Sequence, residues 1–202
     1  MQSLLRLSGL IDTVNRKVGV GVGWLILVMT IVSALNAASR KLFSASSNAF
    51  LEIQWYLFAA VFLLAAGYTL LSNEHVRVDI VNTRLPARLR LWVELLCTAL
   101  FLFPFTLLVL YYGWPYFMLS FSSSEWSLNA GGLILWPVKL LIPAGFLLLF
   151  LQGVSQLIKL AAALSGRLEA GPLLDRHSVQ EDEVEAVLSR QSGDGGNRCR
   201  RG

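Results

Sequence analysis

The sequence predicts an all-α integral membrane protein with four transmembrane helices, and three observations carry that expectation. Four apolar stretches, Val18 to Ala38, Ile53 to Leu71, Leu95 to Tyr112 and Leu140 to Leu164, occupy most of the chain. Each is close to the roughly 20 residues that a helix needs to cross the hydrocarbon, where a backbone has to satisfy its own hydrogen bonds. Almost none of these stretches holds an ionised side chain at mid-depth. The whole chain is 55% hydrophobic and 15% charged, with a mean hydropathy of +0.59, whereas a soluble domain carries about 25% charged residues.

The first stretch follows Arg6, Arg16 and Lys17 and so has the charge pattern of a signal peptide. Its apolar run exceeds the 7 to 15 residues of such a signal, and Ala37-Ala38-Ser39 is a poor cleavage site, so the segment is expected to stay as a span. Gly19 and Gly23 form a small-xxx-small pair that allows another helix to approach closely. Toward its far end the stretch carries Thr30, Ser33 and Asn36, followed by Arg40 and Lys41.

Glu52 opens the second span across a short loop from Arg40 and Lys41. An ion pair with them, or a favourable position at the helix N-terminus, is the expected role of its carboxylate. Ala59, Ala60, Ala65, Ala66 and Gly67 make this span slim on part of its surface. It is followed by Asn73-Glu74-His75-Val76-Arg77-Val78-Asp79, a solvated turn or a docking site where the chain meets headgroups.

Pro86 suits the first turn of the third helix, where its missing N–H costs nothing. Arg84, Arg88 and Arg90 are then expected among headgroups, with their stems along apolar surface. Pro104 falls inside this span and Pro143 inside the fourth, and each predicts a bend rather than a break. Cys97 is expected to pack as a small apolar group, too far from Cys199 in the tail for a disulfide.

Between spans three and four, Gly113 to Leu135 mixes Trp114-Pro115, a serine run from Ser120 to Ser124, Glu125-Trp126 and Gly131-Gly132. Such composition predicts a loop or short helix on the outer surface rather than a fifth crossing. Pro137 opens the fourth helix as Pro86 opens the third. Gln152, Ser155 and Gln156 form a polar stripe that ends at Lys159 and needs a partner; helix-to-helix hydrogen bonding accounts for it better than a transport pathway does. The tail from 165 to 202 is too short to bury a core of its own. Gln180 to Arg190 reads as an acidic amphipathic helix and Ser192 to Gly202 as disordered, and no function is assigned to either.

Charge sets the orientation. Arg6, Arg16 and Lys17, then Arg77, Arg84, Arg88 and Arg90, then Lys159 and Arg167 fall on one side, against Arg40, Lys41 and Lys139 on the other. The positive-inside rule then makes both termini cytoplasmic, and anionic lipid, not nucleic acid, is the expected partner for the surplus of 17 Lys+Arg over 13 Asp+Glu. Under this topology every Trp falls near an interface: Trp24 and Trp92 on the inner side, Trp55, Trp114, Trp126 and Trp136 on the outer. For Trp24 and Trp55 taken singly, packing between helices is the better account.

Motifs of catalysis are missing from the sequence. His75 and His177 lie outside the spans and neither joins a metal-ligand pattern. There is no phosphate-binding loop, no G-x-S-x-G and no C-x-x-C. No enzyme activity, cofactor or metal is therefore expected. A haem-binding anchor needs axial ligands inside the spans, and a proton-coupled exporter needs a membrane-embedded carboxylate, whereas Glu52 and Glu94 sit near the ends.

Taken in order, Asn36 and Arg40, Glu52, Ala65-Ala66-Gly67-Tyr68, His75-Val76-Arg77-Val78-Asp79 and Trp136-Pro137-Val138-Lys139-Leu140-Leu141-Ile142-Pro143 resemble the small, DctQ-like membrane subunit of tripartite ATP-independent periplasmic (TRAP) transporters. The resemblance covers about Val18 to Leu160 and divides the chain into a four-helix DctQ-like domain over 1–164 and a cytoplasmic tail over 165–202. It implies a bacterial inner-membrane protein that braces a large membrane subunit and helps dock a periplasmic solute receptor. The large subunit would bind sodium and carry an organic solute, usually a carboxylate. Asn36, Arg40, Glu52, His75, Arg77, Asp79, Glu125, Gln152 and Gln156 are then structural or partner-contact positions, with the polar and slim faces of spans one, two and four turned to the large subunit. Arg40-Lys41 and the tail beyond Leu164 depart from the usual pattern. On the residues alone, a non-transporting anchor or assembly subunit of another inner-membrane complex stays open.

Overall fold

The computed structural model describes residues 2–43, 48–72, 86–129 and 131–165, and within them the chain is helical apart from one loop. Helix α1 spans Gln2–Phe43, α2 Asn48–Leu71, α3 Ala87–Cys97, α4 Phe103–Ser122 and α5 Trp136–Leu164. A π-helical turn, Thr98–Leu102, joins α3 to α4 without a break. Four helices are thus long and apolar enough to cross a membrane: α1, α2, the α3–α4 rod and α5.

Two boundaries differ from those expected. With 42 residues, α1 starts at Gln2 and not near Val18, because Leu4 to Val14 continues a helical pattern whose polar positions find partners on α5. The third rod runs on to Ser122, through Gly113, Trp114 and Pro115. These residues were expected in a loop, but helix breakers are tolerated in an apolar helix whose backbone groups are satisfied locally. Proline 104 lacks the N–H that would hold the carbonyl four residues back. The chain absorbs this with the π turn just before it, where the Phe103 amide donates to the Thr98 carbonyl and Thr106 Oγ1 donates to the Leu102 carbonyl at 2.8 Å. The starts of α3 and α5 agree with expectation: Pro86 caps the one, and Pro137 lies in the first turn of the other.

Helix α5 is the central element. It packs against α1, α2, α3 and α4, while α1 and α2 also pack on each other. Its buried face includes Gly145, Leu149, Gln152, Gly153, Ser155, Gln156, Leu160 and Ala163. Glycines set the closest approaches: a Cβ on Gly145 would stand 2.6 Å from the Leu63 carbonyl oxygen of α2, and one on Gly153 would stand 2.5 Å from Leu102 Cδ2 in the π turn. Gly19 meets the Tyr68 ring, whereas Gly23 faces open space, so only one of the expected pair serves helix packing inside the chain. Because backbone cannot yield as a side-chain tip can, Gly145→Ala is expected to force α2 and α5 apart. Overpacking of this kind costs about 1–3 kcal/mol, and a lowered thermal midpoint in detergent would register it.

Phe103 against Phe150 at 4.9 Å, Phe105 against Phe146 at 5.7 Å and Phe121 against Trp136 at 5.5 Å make the α4–α5 seam aromatic. The tryptophans expected between helices are on the outside: Trp24 is 66% and Trp55 64% exposed. Cys97 is exposed too. Among the described helices α5 has the most neighbours, and Trp24 on α1 and Trp55 on α2 turn outward.

Candidate functional site

Polar side chains gather in two places, one at each end of the bundle. On α5 these are marked by Lys139 and Lys159, twenty residues or about 30 Å apart at 1.5 Å per residue, which is the thickness of a bilayer's hydrocarbon core.

At the Lys139 end, residues 123–135 fold as a small hairpin. Trp126 bridges Ile134, the Ser127 amide donates to the Leu133 carbonyl at 2.9 Å and the Leu135 amide to the Glu125 carbonyl at 3.0 Å. Gly131, with φ +72°, makes the reversal, a conformation that a residue without Cβ adopts at no cost. The hairpin is fastened to α2 by Glu52, which is 3% exposed. Its carboxylate accepts from Ser127 Oγ, from Asn129 Nδ2 at 2.8 Å and from the Leu133 amide at 2.6 Å. Tyr56, one turn further along α2, donates its hydroxyl to the Ile134 carbonyl at 3.1 Å. Glu52 therefore serves the loop and not Arg40 and Lys41, because a buried carboxylate takes the donors that surround it in place of exposed, solvated cations.

A second fastening joins the hairpin to α5. Lys139 pairs with Glu125 and lies 4.3 Å from the centroid of the Tyr116 ring. The Lys139 ammonium holds the Glu125 carboxyl below its ordinary value of 4.5. A lowered folded value means that this contribution is complete above the ordinary value and is lost as the pH falls through the lower one. Fluorescence of Trp126, isolated by difference from Trp126→Phe, is expected to report that step, and Lys139→Met to move its midpoint up toward 4.5. What the hairpin presents outward is apolar: Trp126 is 61% exposed and Leu128 fully so.

The opposite end holds a buried network between α1 and α5. Asp12 pairs with Lys159 at 2.5 Å and accepts from Gln152 Nε2 at 3.0 Å and Ser155 Oγ at 2.8 Å. Since Ser155 gives its proton to Asp12, Ser8 is the donor in the 2.7 Å contact between the two hydroxyls. Asn15 Nδ2 donates to Gln152 Oε1 at 2.8 Å. Its Oδ1 has no hydrogen-bond partner and rests against Gly67 of α2, where a Cβ would come within 2.3 Å of it. Gln156 turns the other way and donates to Glu94 of α3 at 2.7 Å. The polar stripe of the fourth span thus finds partners on α1 and α3, the helix-to-helix hydrogen bonding expected for it.

The remaining expected positions scatter. Asn36 is buried on α1 and Arg40 exposed near its end. His75, Arg77 and Asp79 lie outside the described residues, as does the acidic segment 180–190. Among the described residues, no three His, Cys, Asp or Glu side chains stand close enough to hold a metal ion. Sequence reasoning overlooked Ser8, Asp12 and Asn15 because they precede the apolar run. Their spacing of i, i+4, i+7 is the helical counterpart of Gln152, Ser155 and Lys159 at i, i+3, i+7, and two such stripes of equal length are a signal for pairing.

Both sites tie helices to one another. Compared with known families, the chain matches over residues 23–163 the model described as tripartite ATP-independent periplasmic transporters, DctQ component. No curated protein matches it.

Proposed function

Since the chain belongs to the DctQ component family of tripartite ATP-independent periplasmic transporters, we propose that it is the small permease subunit of such a system in a bacterial inner membrane. In this reading the chain carries no solute. It holds a large membrane subunit in place while that subunit takes up an organic solute, a carboxylate by chemistry class, with sodium, and it offers the hairpin to the periplasmic receptor. The hairpin end then faces the periplasm and both termini face the cytoplasm, in keeping with the excess of Arg and Lys toward the terminal end.

The single observation that carries this reading is where the polar groups lie. Among the described residues they form ties near the two ends of the bundle, and α2 beyond Glu52, α4, and α5 between Lys139 and Lys159 hold none of the ionisable side chains that transport pathways usually place inside the membrane. A brace needs helices that cannot slide past one another, and the two sets of ties supply that. With the polar faces of α1 and α5 engaged inside the chain, the surface assigned here to the large subunit is the exposed apolar side of α4, where Leu108, Tyr111 and Leu119 are 57, 73 and 69% exposed.

Crosslinking in the three-component system tests both contacts. Leu108→Cys is expected to join the large subunit, and Leu128→Cys the receptor, the latter only when solute is present. Labelling of both positions by a lipid-soluble reagent at the same rate with and without the other components would sink the assignment.

A further inference from the structure

The third rod does not present one unbroken stripe to α5. Its buried positions on α4 are Thr106, Gly113, Phe117 and Ser120, steps of seven, four and three residues, which in a straight helix of 3.6 residues per turn keep to one face. The same steps taken backward from Thr106 lead to Ala99, Leu95 and Trp92. A different set is found there. Ala99 is exposed and Trp92 is 52% exposed, while Thr98 and Glu94 are half-buried and Leu91 is 2% exposed. The stripe has moved one residue toward the N-terminus, with Leu95 at its edge in either register.

Between the two stretches lies the π turn, Thr98–Leu102, in which the Phe103 amide bonds to a carbonyl five residues back instead of four. Such a turn takes in one extra residue, a displacement of about 100° round the helix axis. We propose that it is a register joint, which sets α3 round by one residue so that Leu91 and Glu94, in place of Trp92, meet α5. Contacts on both sides rest on that setting. Leu91 closes a cluster with Leu160 and Ala163, flanked by Leu95 and Leu164, and the Glu94 carboxylate accepts from Gln156 Nε2 at 2.7 Å. In an unbroken helix Glu94 swings away and the buried Gln156 loses this acceptor, while the indole of Trp92 meets a space filled by leucine. Helix α5 is shaped for the joint as well: Leu102, in the bulge of the rod, lies against Gly153, where a Cβ would stand 2.5 Å from its Cδ2. The third rod therefore works as two helices in line. Helix α4 takes its face from the aromatic seam, and α3 takes its own from the Leu91 cluster and Glu94.

The test uses the full chain in native membranes, in a Cys97→Ser, Cys199→Ser background, with Leu160→Cys paired either to Leu91→Cys or to Trp92→Cys. Mild oxidation is expected to close a disulfide in the first pair and not in the second. Pro104→Ala alone is expected to leave that result unchanged, because the register and not the proline holds the turn. Deleting Leu100, an exposed residue of the turn, together with Pro104→Ala removes both the extra residue and the ring that a plain α-helix does not accommodate. The faces on either side then stay in line, so the first pair still closes and the thermal midpoint in detergent matches that of Pro104→Ala alone. Closure of the Trp92→Cys pair in any of these chains overturns the proposal. So does failure of the deleted chain to accumulate or to close the Leu91→Cys pair, since either means that the extra residue does not set the register.

Discussion

Glu52→Ala is expected to free the hairpin 123–135 from α2 and to lower solute uptake by the assembled transporter several-fold, with the four helices still in the membrane. The reason is the number of donors that converge on one carboxylate: a hydroxyl, a side-chain amide and a backbone amide, all from the hairpin. Charge-assisted bonds of this kind are about twice as strong as neutral ones, and alanine leaves all three donors facing an apolar residue. Glu52→Gln is not a rescue, because its amide nitrogen brings a donor to a site built from donors. Limited proteolysis from the hairpin side measures the release directly. Cleavage within 123–135 rises in the variant, while unchanged cleavage would show that Tyr56 and the Lys139–Glu125 pair suffice.

Breaking the other tie is expected to act on the whole bundle. Asp12→Leu leaves Lys159 as a partly buried cation and removes the acceptor of Gln152 and Ser155; Lys159→Leu leaves Asp12 with two hydrogen bonds and no counter-charge. Either loss costs about 3 kcal/mol, the lower end of the range for buried pairs because both side chains retain some exposure. Replacing both by Leu and Met is expected to be milder than either single change, since no charge is then left alone. A double-mutant cycle on thermal midpoints in detergent reads the coupling. Strict additivity would mean that the pair does not fasten α1 to α5.

Much of the fold was legible from hydropathy, because lipid imposes one requirement on every residue of a span and its length is fixed by bilayer thickness. The helix starts at Pro86 and Pro137 were legible for a local reason, the harmless loss of an N–H in a first turn. The end of the third rod was not. Gly113 to Pro115 reads as a turn by residue type, yet Gly113 is buried on α4 near Ile142 and Pro143 of α5, a tertiary contact that a linear pattern does not contain. The sites were less legible still. Glu52, Gln152 and Gln156 stood out as polar groups in apolar surroundings, but their partners lie 62 to 140 residues away in sequence. Asp12 was passed over because a charge next to Arg16 and Lys17 looks like ordinary interfacial residue content until α5 is placed beside it.

The division of labour stands or falls on one reconstitution. The purified chain is placed alone in sodium-loaded and sodium-free vesicles, and in parallel with the large subunit and the solute receptor, with uptake of labelled organic acids followed in each. The chain alone is predicted to give no uptake, and the three components together to give sodium-dependent uptake. Solute accumulation by the chain alone would contradict the account.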